Sequence, residues 1–191
     1  MSVRRSRLSA AVAAIACVAV AAAGLRASEA GPDHDVVRGR LGQPVATEDG
    51  VVTVADVRVG TRLARSGSVT DTTPGMFVVV RVAAAATGTE DEVLTDSRLL
   101  ARGGRVYAPY ESTTSRAAPG FVETVDHLFE VDPAAIEDLT LEVWRSEVVH
   151  GYQERVQVHL GITRANAAAW RDAGAGQVLE PDRTGTTRAL S

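Results

Sequence analysis

His34, His127, His150 and His159 are the side chains of this 191-residue chain best suited to bind a metal or carry a proton near neutral pH. Their neighbours decide whether either chemistry is assembled. His34 stands between Asp33 and Asp35, a metal-capable trio by type, but three adjacent residues in a polar strip do not converge on one ion. His127 follows Asp126, and adjacent side chains on a strand face opposite ways, so these two cannot form a dyad with each other. Alternation groups His127 with Val125, Phe129 and Val131, which predicts a hydrogen-bonded histidine at the edge of the core. His159 falls on the polar side of its strand, and His150 precedes Gly151 at a turn. No nucleophile–base pair and no three-ligand spacing emerges, so the expectation is no catalytic residue, no metal and no cofactor. The competing reading is a metal- or small-ligand carrier, or an enzyme, using His127 or His159 with nearby carboxylates. Glu90-Asp91-Glu92, beside Asp96, offers oxygens of the kind calcium takes; without EF-hand spacing it reads as a solvated turn.

Aromatic residues are scarce, at 4% of the chain, which gives each one weight. Trp144 falls with Thr140 and Glu142, opposite Leu139, Leu141 and Val143, and so on the less buried face of its strand. A tryptophan left on such a face anchors partners; a bulge, or a covering helix around Trp170, would instead bury it. Tyr107 and Tyr110 face opposite ways, one inward and one outward. Trp144, Tyr110 and His159 are therefore the candidate partner contacts.

These residues need strands to hold them, and the export signal must be set aside first. Arg4, Arg5 and Arg7 precede an uncharged run of 18 residues from Leu8 to Leu25, the pattern of a segment directed across a membrane with its N-terminus inside. Two versions fit. Ser28-Glu29-Ala30 allows cleavage of residues 1–30 as a signal peptide; alternatively 8–25 stays as a membrane anchor at the lower limit of spanning length. Cys17 lies inside the run rather than at its end, a poor place for lipidation, and Arg7 weakens a twin-arginine match at Arg4-Arg5. Cys17 is the sole cysteine, so the exported part has neither disulfides nor thiol chemistry. Beyond residue 30 there remain 16 Arg against 23 acidic residues, a formal charge of −7. That balance argues against nucleic acid as a partner.

Residues 31–41 read as a polar tether. From 42 to 163, β-rich runs alternate with turn residues every 8–14 positions, which predicts an antiparallel β-sandwich of about seven or eight strands. Val51–Val59, Met76–Ala86, Val122–Val131, Leu139–Val149 and Glu154–Ile162 are strands, with Arg62–Gly75 as a loop and Gly103-Gly104 as a hairpin turn. The small side chains of Ala83–Ala86 would permit an apolar pocket between the sheets. Residues 164–191 read as a short helix, capped by Thr163 and running to Asp172, followed by a loose tail.

The pieces Gly75-Met76-Phe77-Val78-Val79-Val80-Arg81-Val82, Leu99-Leu100-Ala101-Arg102-Gly103-Gly104-Arg105-Val106-Tyr107 and Leu128-Phe129-Glu130-Val131-Asp132-Pro133, the last preceded by Pro119-Gly120, stand in an order that resembles a known family. It is similar to the telokin-like, immunoglobulin-like extracellular domains of unknown function in exported actinobacterial and other Gram-positive proteins. The resemblance covers about 42–163 and implies an immunoglobulin-like sandwich that needs no disulfide, with no implied activity. Ala83–Ala86, where relatives place a polar strand end, and the Trp170 extension depart from it. The expected role is an exported, non-enzymatic cell-envelope module binding a protein, glycan or lipid outside the membrane.

Overall fold

The computed structural model describes residues 35–145 and 154–190. The expected export segment, His34 and His150 lie outside the described residues. Within them the valine-rich runs pair into two facing sheets. The central element is a long hairpin of β3 (Gly50–Arg65) and β4 (Ser68–Ala86). Strict alternation fails along β3, because Val52 and Val54 are followed by Val57 and Val59, an odd step. A register shift between Val54 and Asp56 absorbs the extra residue and returns all four valines to the buried face.

Arg62–Gly75, expected as a loop, is instead the distal end of this hairpin. The chain reverses at Ser66 and Gly67, both at positive φ (52° and 76°), as a two-residue turn between twisted strands requires. The arms pair from Arg62↔Thr72 to Arg65↔Ser68. They are invisible to pattern reading because the tip extends beyond the last pair with β9 (Phe121–Val131), Met76↔Val131, and its polar residues are mostly exposed.

One sheet has the order β1-β11-β10-β6-β7, from Val36–Arg40, Arg155–His159, Thr140–Trp144, Asp96–Leu100 and Val106–Tyr107. The other runs β12-β3-β4-β9-β13, adding Val178–Leu179, Phe121–Val131 and Thr186–Ala189, with β2 (Pro44–Ala46) also flanking β3. A separate ladder joins β5 (Glu92–Leu94) to β8 (Ser115–Ala117). β1–β11 and β12–β3 are parallel and the other ladders antiparallel. The thirteen strands among the described residues exceed the expected seven or eight because short bordering strands carry no periodic signal of their own. Gly103 and Gly104 do close a hairpin, at φ 77° and 79°, inside a five-residue connection between Leu100 and Val106.

The main core lies between the sheets and includes Val78, Phe129, Leu141 and Val158. A second cluster of Leu63, Phe77, Val79, Leu128 and Leu179 occupies the opposite face of the β3–β4–β9 sheet. Two boundaries move relative to the sequence reading. Half of the expected tether is β1, so the sandwich begins near residue 36. The expected loose tail is ordered as β12 and β13, which border the second sheet on its two sides. The helix α1 spans Ala167–Gly174, with Asn166 rather than Thr163 at its N-cap. The Thr163 amide donates to Asn166 Oδ1 at 2.7 Å, so Thr163 braces the capping residue. Trp170 packs on the main core.

Candidate binding face

Register assigns the outward side of the first sheet. Inward go Val37, Leu99, Leu141, Val143, Val156 and Val158; outward go Arg38, Arg40, Arg98, Glu142, Trp144 and Arg155, with Gln157 and His159. Glu142 is at the centre, only 1% exposed. Its Oε1 takes Arg155 at 2.9 Å and Arg98 at 2.7 Å, and its Oε2 accepts from Gln157 at 2.6 Å. Burial alone would raise the pKa of this carboxyl, but Gln157, Arg155 and Arg98 outweigh it and hold it below the usual range. The half-buried Trp144 ring lies against both cations, 4.7 Å from the Arg155 guanidinium and 5.4 Å from that of Arg98. The alternation argument for Trp144 is thus correct, and its partial cover includes its own arginine neighbours; Trp170 packs on the other side of the sheet, on the core.

His159 is exposed on this same face, beside Arg40 in the register. Its Nδ1 accepts the Gly161 amide at 3.0 Å, and its Nε2 is 3.7 Å from Asp138. Arg38 and Arg40 are exposed and make no ion pair with a described residue. The paired positions hold four arginines against two carboxylates, Glu142 and Asp96. On a chain of formal charge −4 this is a cationic surface.

Tyr110 does not join it. It is 39% exposed on the second sheet's outer side, where its ring meets Phe77 edge-on at 5.3 Å and 82°. Its amide donates to Leu128 at 2.8 Å, which makes it a strap along β9. Tyr107 packs on the main core, so the two tyrosines do face opposite ways.

His127 reaches across the sandwich and lies deeper than the core edge. It is fully buried, and its Nδ1 shares a 3.0 Å hydrogen bond with Ser97 of the facing sheet, while Nε2 has no partner. Burial pushes its pKa down to about 4, because the charged imidazolium would be cut off from water in the core. Asp126 faces the other way, with its side chain wholly buried. Arg81 grips it through two bonds of 2.8 and 3.0 Å, and Arg58 approaches to 2.5 Å. His127 and His159 therefore have separate partners and share no carboxylate.

Glu92 corrects the solvated-turn reading of residues 90–92. It is a strand residue of β5, 5% exposed, with Oε2 accepting from Thr47 at 2.6 Å; burial raises its pKa. Its neighbour Asp91 pairs with Arg116 at 2.6 Å. Among the described residues no group of three or more His, Cys, Asp and Glu is arranged to hold a metal. The pocket expected between the sheets at Ala83–Ala86 is not there: Ala84 and Ala86 are fully buried. The outward Ala83 and Ala85 instead floor an open groove of about 430 Å³ on the second sheet's outer side, beside Arg188 and Leu190 of the tail.

The Arg98–Glu142–Arg155 cluster was missed by sequence reading. Glu142 is the lone charge of its strand, and Arg98 and Arg155 sit on two other strands distant in sequence, so the cluster shows only once the register aligns them. Architecture and surfaces define a mostly antiparallel β-sandwich whose second sheet is bordered by the chain's own C-terminal tail. Among the described residues no helix is long and apolar enough to cross a membrane; the run 8–25 lies outside them. No family model and no curated protein matches the sequence. Among solved structures the chain is similar to an uncharacterised β-sandwich protein from Clostridium difficile 630, at 8% identity, covering 67% of this chain and 96% of that one, with a TM-score of 0.46.

Proposed function

We propose that this chain is an exported, non-enzymatic binding module of the cell envelope, and that the outward face of the β1-β11-β10-β6-β7 sheet is the side that meets its partner. The carrying observation is the contrast between the two outer faces. The second sheet's outer side supports an apolar cluster that the chain covers itself, with Leu179 and Tyr110. The first sheet's outer side instead presents Arg38, Arg40, His159 and a half-buried Trp144. Tryptophan and arginine are the residue types most enriched where binding energy concentrates. Export rests on Arg4, Arg5, Arg7 and the apolar run 8–25, either as a cleaved signal or as an anchor. The immunoglobulin-like, telokin-like assignment rests on the order of sequence pieces and is compatible with the two-sheet architecture.

The test is capture from envelope extract with residues 31–191, which contain the compact unit Asp35–Ser191. Wild-type protein should retain a specific protein, glycan or lipid that a Trp144→Ala, Arg40→Glu variant loses. Equal capture by both would remove this face from the reading.

A further inference from the structure

We propose that the free edge of β1 pairs with an extended, acidic polypeptide segment of a partner, which joins the first sheet as an added strand. This rests on the binding-module reading above and names the chemistry of its partner. The Arg155 amide donates to the Asp35 carbonyl at 2.8 Å. In a parallel ladder alternate residues turn their backbone groups toward the neighbour, so Val37 and Gly39 face β11. Val36 and Arg38 then point their N–H and C=O groups away from the sheet, and no described residue bonds to them there.

The other long strands that flank the sandwich are treated differently. The outer edge of β9 is bonded at Leu128 by the Tyr110 amide, at Asp126 by the Asp182 carbonyl, and from Phe121 to Thr124 by β13. The outer edge of β3 is bonded at Val51–Thr53 by β2, at Val54 by the Gly42 amide, at Thr61 and Arg62 by the Gln177 carbonyl and at Arg62 and Leu63 by β12, and between these the helix packs Gly174 beside Val59 and Gly60. At the far end of the first sheet β7 has only two residues, too few for much added pairing. β1 has five residues and leads directly onto the cationic face.

Side chains select the occupant. An added strand places its outward residues beside Arg38 and Arg40, which are exposed and have no carboxylate partner. Acidic residues at alternate positions answer that charge, and apolar residues between them continue the layer of the half-buried Val37. A second copy of this chain fits poorly, because antiparallel pairing of β1 with itself would face arginine with arginine. Charge and hydrogen bonding thus point to an acidic, alternating segment of another protein.

The probe is a labelled peptide of alternating Glu and Val, titrated by fluorescence anisotropy into residues 31–191. Binding should weaken by about tenfold or more in Arg38→Glu, Arg40→Glu protein, and by a similar factor when alternate peptide amides are N-methylated. Arg38→Gln, Arg40→Gln protein, checked for an unchanged melting temperature, guards against a folding defect and should give an intermediate loss. Amide exchange should slow at Val36 and Arg38 on binding. Equal affinity of the N-methylated peptide, protection at β13 instead of β1, or no saturable binding overturns the proposal. If the peptide fails while envelope capture still depends on Trp144 and Arg40, the binding-module reading stands and the added-strand partner falls.

Discussion

His127 shows how a residue chosen for chemistry becomes a structural element. It is neutral at pH 7 and shares one hydrogen bond across the core with Ser97. Its folded pKa of about 4 is below the unfolded value near 6.5, so the unfolded chain binds the extra proton first as pH falls. Stability is therefore complete above about pH 6.5 and declines toward pH 4, by roughly 3 kcal/mol if His127 alone acts. Denaturant melts of wild type and His127→Gln from pH 7.5 to 4 should show the variant with the shallower dependence; parallel curves would refute the assignment. Glu142 makes a second prediction. Glu142→Ala strips the shared acceptor from Arg98 and Arg155 and should lower stability by about 1–3 kcal/mol, since two charge-assisted contacts are lost and two guanidiniums held close together no longer have a carboxylate between them. Urea unfolding would read this as a lower midpoint with an unchanged slope.

At the level of elements, the tail is the piece most open to test. Leu179 enters the second cluster, the Asp182 amide donates to Asp126 at 2.9 Å, and Thr186–Ala189 pair with β9. Deletion of residues 185–191 should leave the main core folded but free the β9 edge from Phe121 to Thr124. The expected readouts are faster amide exchange confined to those residues and association at high concentration. Uniform loss of protection throughout would mean that the tail is integral to the whole sandwich. Much of the sandwich interior was legible in the sequence: alternation placed the inward residues of β10 and β11, grouped His127 with Phe129 and put Trp144 with Glu142. The tip of the β3–β4 hairpin, β1 and the tail were not, because their residues are polar or few and their strand character comes from pairing partners distant in sequence. The same cause hid the Arg98–Glu142–Arg155 cluster. Local patterns say which side of a strand a residue takes, while register with another strand decides what it meets.

For the whole molecule, charge is unevenly placed. The chain is acidic overall, yet four arginines share the outer face of one sheet. If that face binds an acidic partner, attraction is local and screened within about 8 Å at physiological ionic strength. Capture from envelope extract should fall several-fold between 50 and 500 mM salt, chiefly through slower association. Salt-independent capture would instead favour an apolar contact centred on Trp144.

The pairing of β1 with β11, and of β9 with β13, also has a consequence for biosynthesis. A polypeptide is made from its N-terminus, so β3 and β4 can close their hairpin early, from neighbouring sequence. β1 must wait for β11, and the Phe121–Thr124 flank of β9 stays bare until Thr186–Ala189 has been made. A nascent or prematurely terminated chain therefore presents two adhesive borders that the finished protein does not leave in the same state. Quality-control proteases and holding chaperones would meet this protein chiefly during that interval.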